Sequence, residues 1–186
     1  LCELEEKAEL HSIVIMKDDK VIVDGSWMPY EKDVPQMMHS LSKTGTSLCV
    51  GIAVSEGKLS LDDKFIEYVR EDLPENYDRV LDQVTIYDLL TMQAGSAACA
   101  NNVYFTALKS DWERTWLGEK RIAEDVGKAF HYDSGCSYTL SKIVSKVMGT
   151  TCINLLQERV FSKIGIDHVD WLHSPEGFNT GGWGMY

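Results

Sequence analysis

Apolar positions fall into two regimes along this chain. Between residues 12 and 24 they form β-branched runs, Ser12-Ile13-Val14-Ile15-Met16-Lys17 and Lys20-Val21-Ile22-Val23-Asp24, on either side of Asp18-Asp19. Two such runs joined by a short polar turn predict a β-hairpin. From residue 40 onward the spacing turns helical. Leu48-Cys49-Val50-Gly51-Ile52-Ala53-Val54 predicts a buried helix over residues 40–55, with Gly57 as its C-terminal stop. Leu59-Ser60-Leu61-Asp62-Asp63 leaves it as a loop. Thr85-Ile86-Tyr87-Asp88 has capping-box character and starts a short helix that Gln93-Ala94-Gly95-Ser96 ends. Residues 111–126 predict a helix with Trp112 and Trp116 on one face. Leu140, Ile143, Val144 and Val147, then Ile153, Leu155, Leu156 and Val160, predict helices over 137–149 and 152–163, separated by Gly149. Residues 3–10 read as a helix end, residues 96–110 carry no clear period, and residues 177–184 are rich in glycine.

Strands therefore come first and a long, mainly helical segment follows. The expected fold class is α+β, a helical subdomain plus part of an antiparallel sheet, because a lone two-stranded hairpin is marginal. Residues 1–186 are read as one domain, with a helix end and hairpin in 1–35 and the helical segment in 36–186. A chain of 186 residues buries roughly 70% of its unfolded surface. At 44% hydrophobic and 25% charged it has an ordinary globular composition.

The charge narrows the partners. A net charge of −11 disfavours nucleic acid and anionic membrane surfaces. No apolar run approaches the ~18 residues of a membrane span. The start, Leu1-Cys2-Glu3-Leu4-Glu5-Glu6-Lys7, is too acidic for a signal peptide and has no initiator Met, so upstream sequence is expected to have been removed. The 5 cysteines are scattered with no C-x-x-C pair, which suggests neither a disulfide framework nor a zinc site. Free thiols fit the cytoplasm, the alternative being an exported protein whose signal is gone.

The candidate chemistry lies in Ser40-Leu41-Ser42-Lys43, an S-x-x-K box running into the apolar helix. Positions i and i+3 share a helix face. A serine hydroxyl needs a base to become a nucleophile, and a lysine held among apolar residues can be that base. Alone the box recurs by chance, its bland form being a surface serine and a solvated lysine. Ser42 has Gly45 three residues on and so no base on its face. His168-Val169-Asp170-Trp171-Leu172-His173 is read as a polar loop rather than a metal site. No G-x-S-x-G elbow is present for a Ser-His-Asp triad, and His39 is read as a neighbour rather than a base. The acidic stretch 67–75 reads as a solvated face, and Trp112, Trp116, Trp171 and Trp183 as cleft lining or core.

Several boxes in order give the chain a resemblance to the serine β-lactamase and penicillin-binding-protein-like superfamily. The match is to its class C-like branch of DD-peptidases, esterases and 6-aminohexanoate-oligomer hydrolases. The boxes are the hairpin with Trp27-Met28-Pro29-Tyr30, His39-Ser40-Leu41-Ser42-Lys43 with Thr46-Ser47, and Gly51-Ile52-Ala53-Val54-Ser55-Glu56-Gly57-Lys58-Leu59-Ser60-Leu61-Asp62-Asp63. They continue through Thr85-Ile86-Tyr87-Asp88-Leu89-Leu90-Thr91-Met92-Gln93-Ala94-Gly95, Phe130-His131-Tyr132-Asp133-Ser134, the helical run from Leu140 to Gly149 and Phe161-Ser162-Lys163-Ile164-Gly165-Ile166.

The resemblance implies a β-lactamase/transpeptidase-like fold and hydrolysis of an amide or ester through an acyl-serine. It implies Ser40 as nucleophile, Lys43 as general base and Tyr132 as the group that passes the proton to the leaving group. Ser134, where the branch commonly has asparagine, and Ser42 are expected on the substrate side, Ser42 through a hydrogen bond to Lys43. No metal or cofactor is expected, and the partner is a small-molecule or peptide substrate; oligomeric state is open. The family's third box, a Lys-Thr-Gly or His-x-Gly strand, does not follow Tyr132, and Lys43-Thr44-Gly45 overlaps the nucleophile helix. The chain is thus expected to be a truncated piece, weakly active or inactive alone. The competing expectations are an inactive member kept for binding or regulation and, further off, a scaffold domain.

Overall fold

The computed structural model describes residues 9–32, 34–97 and 111–186. The helix end expected at 3–10 falls almost wholly outside the described residues, as does most of the unassigned 96–110. The chain divides into two compact units, Leu1–Gln36 and Met37–Tyr186.

The first unit is the hairpin. Strands β1 (Ser12–Lys17) and β2 (Lys20–Ser26) pair antiparallel, with a register irregularity between Ile15 and Met16. Asp18 and Asp19 both take left-handed φ, 49° and 60°, the geometry a two-residue type I′ turn demands and that Asp tolerates better than most residues. Trp27 N–H donates to the His11 carbonyl at 3.0 Å, and the Tyr30 ring stacks on His11.

The second unit is a set of helices around one buried rod. The helices are α1 (Lys43–Ser55), α2 (Ile86–Leu90), α3 (Trp112–Leu117), α4 (Ser134–Met148) and α5 (Cys152–Arg159). Every residue of α4 from Ser134 to Ser145 is buried, and α1, α2, α3 and α5 all pack on it. The core gathers Cys49, Val50 and Ala53 of α1, Ile86 and Leu89 of α2, and Trp116 and Leu117 of α3. It continues with Leu140, Ile143 and Val144 of α4 and Leu155 and Leu156 of α5. The helix starts are capped as the residues suggest: Thr85 and Asp88 form a reciprocal capping box on α2, and Asp133 and Thr151 cap α4 and α5. Gly149 closes α4 at φ 69°, a left-handed position where glycine avoids a Cβ penalty. No helix among the described residues is long and apolar enough to cross a membrane.

Four expectations change. The helix read over 111–126 is only Trp112–Leu117; the chain turns at Gly118 and reaches Arg121, which bridges to Ser96, before a 3-10 turn at Ala123–Asp125. The helix read over 152–163 ends at Arg159 and is followed by a 3-10 turn, Phe161–Lys163. The first turn of the 40–55 helix is a 3-10 turn, His39–Ser42. The acidic stretch is not merely solvated. Glu71 meets Lys146 at 2.7 Å, and Asp72 meets Lys146 at 3.1 Å and the buried Lys142 at 2.9 Å. The lysines lie one turn apart on α4, and a buried ammonium such as Lys142 demands a counter-charge.

Candidate active site

Three segments far apart in sequence converge on Lys43. The first is the turn His39–Ser42, entered through His39 at φ 43°, a left-handed conformation that histidine visits more readily than bulkier residues. It presents Ser40 to solvent, and Lys43 opens α1 on the same face. The second segment is the extended approach to α4, where alternation sends Tyr132 and Ser134 to one side and Asp133 to the other. The third is the glycine-rich stretch near residue 182.

Lys43 Nζ donates to Gly182 O at 2.7 Å, Tyr132 Oη at 2.9 Å, Ser134 Oγ at 3.2 Å and Ser40 Oγ at 3.3 Å. Tyr132 Oη donates in turn to Ser40 Oγ at 2.6 Å, closing a triangle of serine, lysine and tyrosine. Partial burial pushes the Tyr132 phenol up, but hydrogen bonds with Lys43 and Ser40 and the lysine charge outweigh it. Its net pKa lies below the ordinary tyrosine value. A nucleophile, a base in contact with it and a proton carrier touching both are the parts that acyl transfer requires.

Ser40, Lys43, Tyr132 and Ser134 thus stand together. Ser42 does not join them. It is buried, and its hydroxyl donates to the His39 carbonyl at 2.6 Å and accepts from Met185 N–H at 3.1 Å. The expected Ser42–Lys43 bond and substrate contact are replaced by this structural one, because adjacent residues on a helical turn point about 100° apart. Of the tryptophans, Trp116 and Trp171 are buried in the core, while Trp112 and Trp183 stack on each other half-buried. His173 is hydrogen-bonded to Asn179.

Local patterns missed two elements of this site. Gly182 carries no motif, yet a Cβ there would lie 3.1 Å from Ser134 Cβ and 3.3 Å from Lys43 Nζ, so glycine lets the backbone reach the lysine. Thr46, one turn along α1, donates to the Gly181 carbonyl at 2.7 Å and fastens the same stretch. A cavity of about 160 Å³ also opens beside Lys43, its wall including Thr46, Leu89, Met92, Ser137 and Leu140. The residue run 177–184 was visible as glycine-rich, but nothing local said where it docks.

The beta-lactamase family model matches residues 8–186. The chain belongs to the beta-lactamase family. Its fold is the β-lactamase/transpeptidase-like one, of which the helices and the two-stranded antiparallel sheet form part. A putative 6-aminohexanoate-dimer hydrolase from Bacillus anthracis is similar at a TM-score of 0.83 and 18% identity, over 100% of this chain and 52% of that one. A D-alanine carboxypeptidase from Burkholderia cenocepacia is similar at 0.71 and 20% identity, over 99% of this chain and 57% of that one. A class C beta-lactamase in complex with cefoxitin is similar at 0.75 and 17% identity, over 99% and 58%. At these identities the likeness is one of fold, and this beta-lactamase-family chain spans little more than half the length of those structures. No curated protein sequence matches it.

Proposed function

We propose that this beta-lactamase-family protein is a serine hydrolase that cleaves an amide or ester bond through an acyl-enzyme. The observation that carries this reading is the closed contact of Ser40, Lys43 and Tyr132. Ser40 Oγ attacks the carbonyl carbon while Lys43 draws off its proton, and the C–O bond forms as the carbonyl π bond opens. The backbone N–H of Ser40 is one donor to the resulting oxyanion. Collapse of the tetrahedral adduct breaks the bond to the leaving group, which takes a proton from Tyr132. Lys43, hydrogen-bonded to the phenol, restores that proton. Water then repeats the sequence on the acyl-serine and releases the acid. Ser134, held beside Lys43 at 3.2 Å, is the substrate-side residue in this reading. The similar structures named above, a putative 6-aminohexanoate-dimer hydrolase, a D-alanine carboxypeptidase and a class C beta-lactamase, support an amide or a β-lactam ahead of other substrates.

The deciding experiment is peptide mass spectrometry after incubation with a fluorophosphonate and, separately, a penicillin. A covalent adduct on Ser40 that disappears in Lys43→Ala is expected, and the reagent that reacts narrows the substrate class. No adduct with either reagent on the folded full-length protein would sink the hydrolase reading and favour a member kept for binding.

A further inference from the structure

The side chain between Tyr132 and Ser134 has no part in the chemistry above, yet it is among the most completely buried groups in the protein. Asp133 is fully enclosed. Its Oδ1 accepts from the Gly135 N–H at 2.7 Å, capping α4. Its Oδ2 accepts from the Trp116 indole N–H at 2.7 Å and from the Ser96 hydroxyl, and faces the guanidinium of Arg121 at 3.7 Å.

Arg121 is itself locked. Its side chain is fully buried, donates to Ser96 Oγ at 2.8 Å and to the Trp116 carbonyl at 2.6 Å, and lies over the Trp116 ring. A helix cap needs only an exposed Asp, Ser or Thr. Burying a carboxylate and a guanidinium costs free energy that a simple cap would not require. Breaking such a pair leaves an uncompensated charge, so the arrangement tolerates almost no movement of the backbone that bears it.

We propose that Asp133 is a positioning residue. Its buried carboxylate, gripped by Trp116, Ser96 and Arg121, fixes the extended backbone from which Tyr132 and Ser134 reach Lys43. Because the backbone at Asp133 is extended, φ −147° and ψ 108°, its side chain points away from its neighbours', and anchoring it inward holds both flanking hydroxyls outward on the lysine. The Tyr132 contacts of 2.6 Å to Ser40 and 2.9 Å to Lys43 have little tolerance for drift. This inference rests on the hydrolase reading for its effect on rate, but its geometric claim can be read without catalysis.

The test uses Asp133→Asn, which keeps the cap acceptor and the size but turns an amide toward the donors of Trp116 and Arg121. Two milder variants, Trp116→Phe and Ser96→Ala, each remove one donor and guard against failure of the first to fold. Two quantities are measured on folded protein: the rate constant for fluorophosphonate labelling of Ser40, and the pH titration of the Tyr132 ring carbon by NMR with labelled tyrosine, assigned with Tyr132→Phe. We expect labelling to slow by about 10- to 100-fold, the scale of a small misplacement of a reacting group. The Tyr132 titration should also move upward in pH as the phenol leaves Lys43. Both effects should be smaller in the two milder variants.

Slower labelling with an unmoved Tyr132 titration would overturn the proposal, since the loss would then come from elsewhere. So would folded variants whose labelling stays within about twofold of the parent, a change too small for any repositioning of the phenol. If the parent never labels but the Tyr132 titration shifts in the variants, the positioning claim stands and the hydrolase reading falls.

Discussion

The carbonyl of Gly182 accepts a hydrogen bond from Lys43 Nζ at 2.7 Å across 139 residues of sequence. The stretch that brings it there is close-packed: Gly181 sits at φ 69°, and a Cβ on it would run into the Ser137 carbonyl. Gly181→Ala should therefore lower stability by about 2 kcal/mol or more, since it adds strain and a backbone clash together. Gly182→Ala meets only side-chain atoms and should fold, while slowing Ser40 labelling roughly tenfold by displacing Lys43 or Ser134. Thermal melting and labelling rates on the two variants separate these effects. Equal melting temperatures for both would contradict the packing described.

Tyr132→Phe removes the phenol that touches both Ser40 and Lys43. Because Tyr132 is 38% exposed, its hydroxyl adds little to stability. Acylation by a penicillin or an ester should slow by about 10²–10⁴, the usual worth of a placed proton-transfer group. Unchanged acylation would show that Lys43 works alone.

Ser42→Ala tests the reassignment of that residue. It would leave the buried N–H of Met185 without its acceptor, at a cost of about 1–3 kcal/mol. Denaturant unfolding should show the loss, while Ser40 still takes up the fluorophosphonate. Full stability with lost labelling would return Ser42 to the site.

A pH-dependent term in stability comes from Glu113. Burial pushes its carboxyl up, against the pull of Lys142, from the ordinary 4.5 to about 7. The folded state then holds the proton more tightly than the unfolded chain. Its contribution is complete below about pH 4.5 and fades as pH rises to about 7. Glu113→Gln cannot titrate. The stability of the parent relative to this variant should rise as pH falls through that window, by an amount on the order of 1–3 kcal/mol. Urea unfolding at several pH values measures it, and a flat difference would mean that Lys142 keeps the carboxylate ionised.

Local chemistry was legible where one segment decides its own shape. The Asp18-Asp19 turn, the Thr85–Asp88 capping box and the apolar spacing of α4 and α5 each encode an element within a few residues. The S-x-x-K box placed Ser40 and Lys43 on one face by helix periodicity alone. The break after Leu117 was hidden because Arg121 leaves the helix for partners at Ser96 and Asp133, residues no window around 111–126 contains. Ser42 misled for a related reason: its partner, Met185, lies 143 residues away. The grip on Asp133 was equally invisible, since an aspartate before a helix reads as a cap whether or not an arginine is buried behind it.

Four oxygens surround Lys43 Nζ, and even as an ammonium it carries only three hydrogens. One oxygen is always left over, whichever way the group rotates. The shortfall falls most naturally on Ser40, the most distant at 3.3 Å. More than one hydrogen arrangement is therefore compatible with a single set of heavy-atom positions. In the proposed reaction, a proton moving among serine, tyrosine and lysine would cross contacts of 2.6, 2.9 and 3.3 Å that are already hydrogen-bonded.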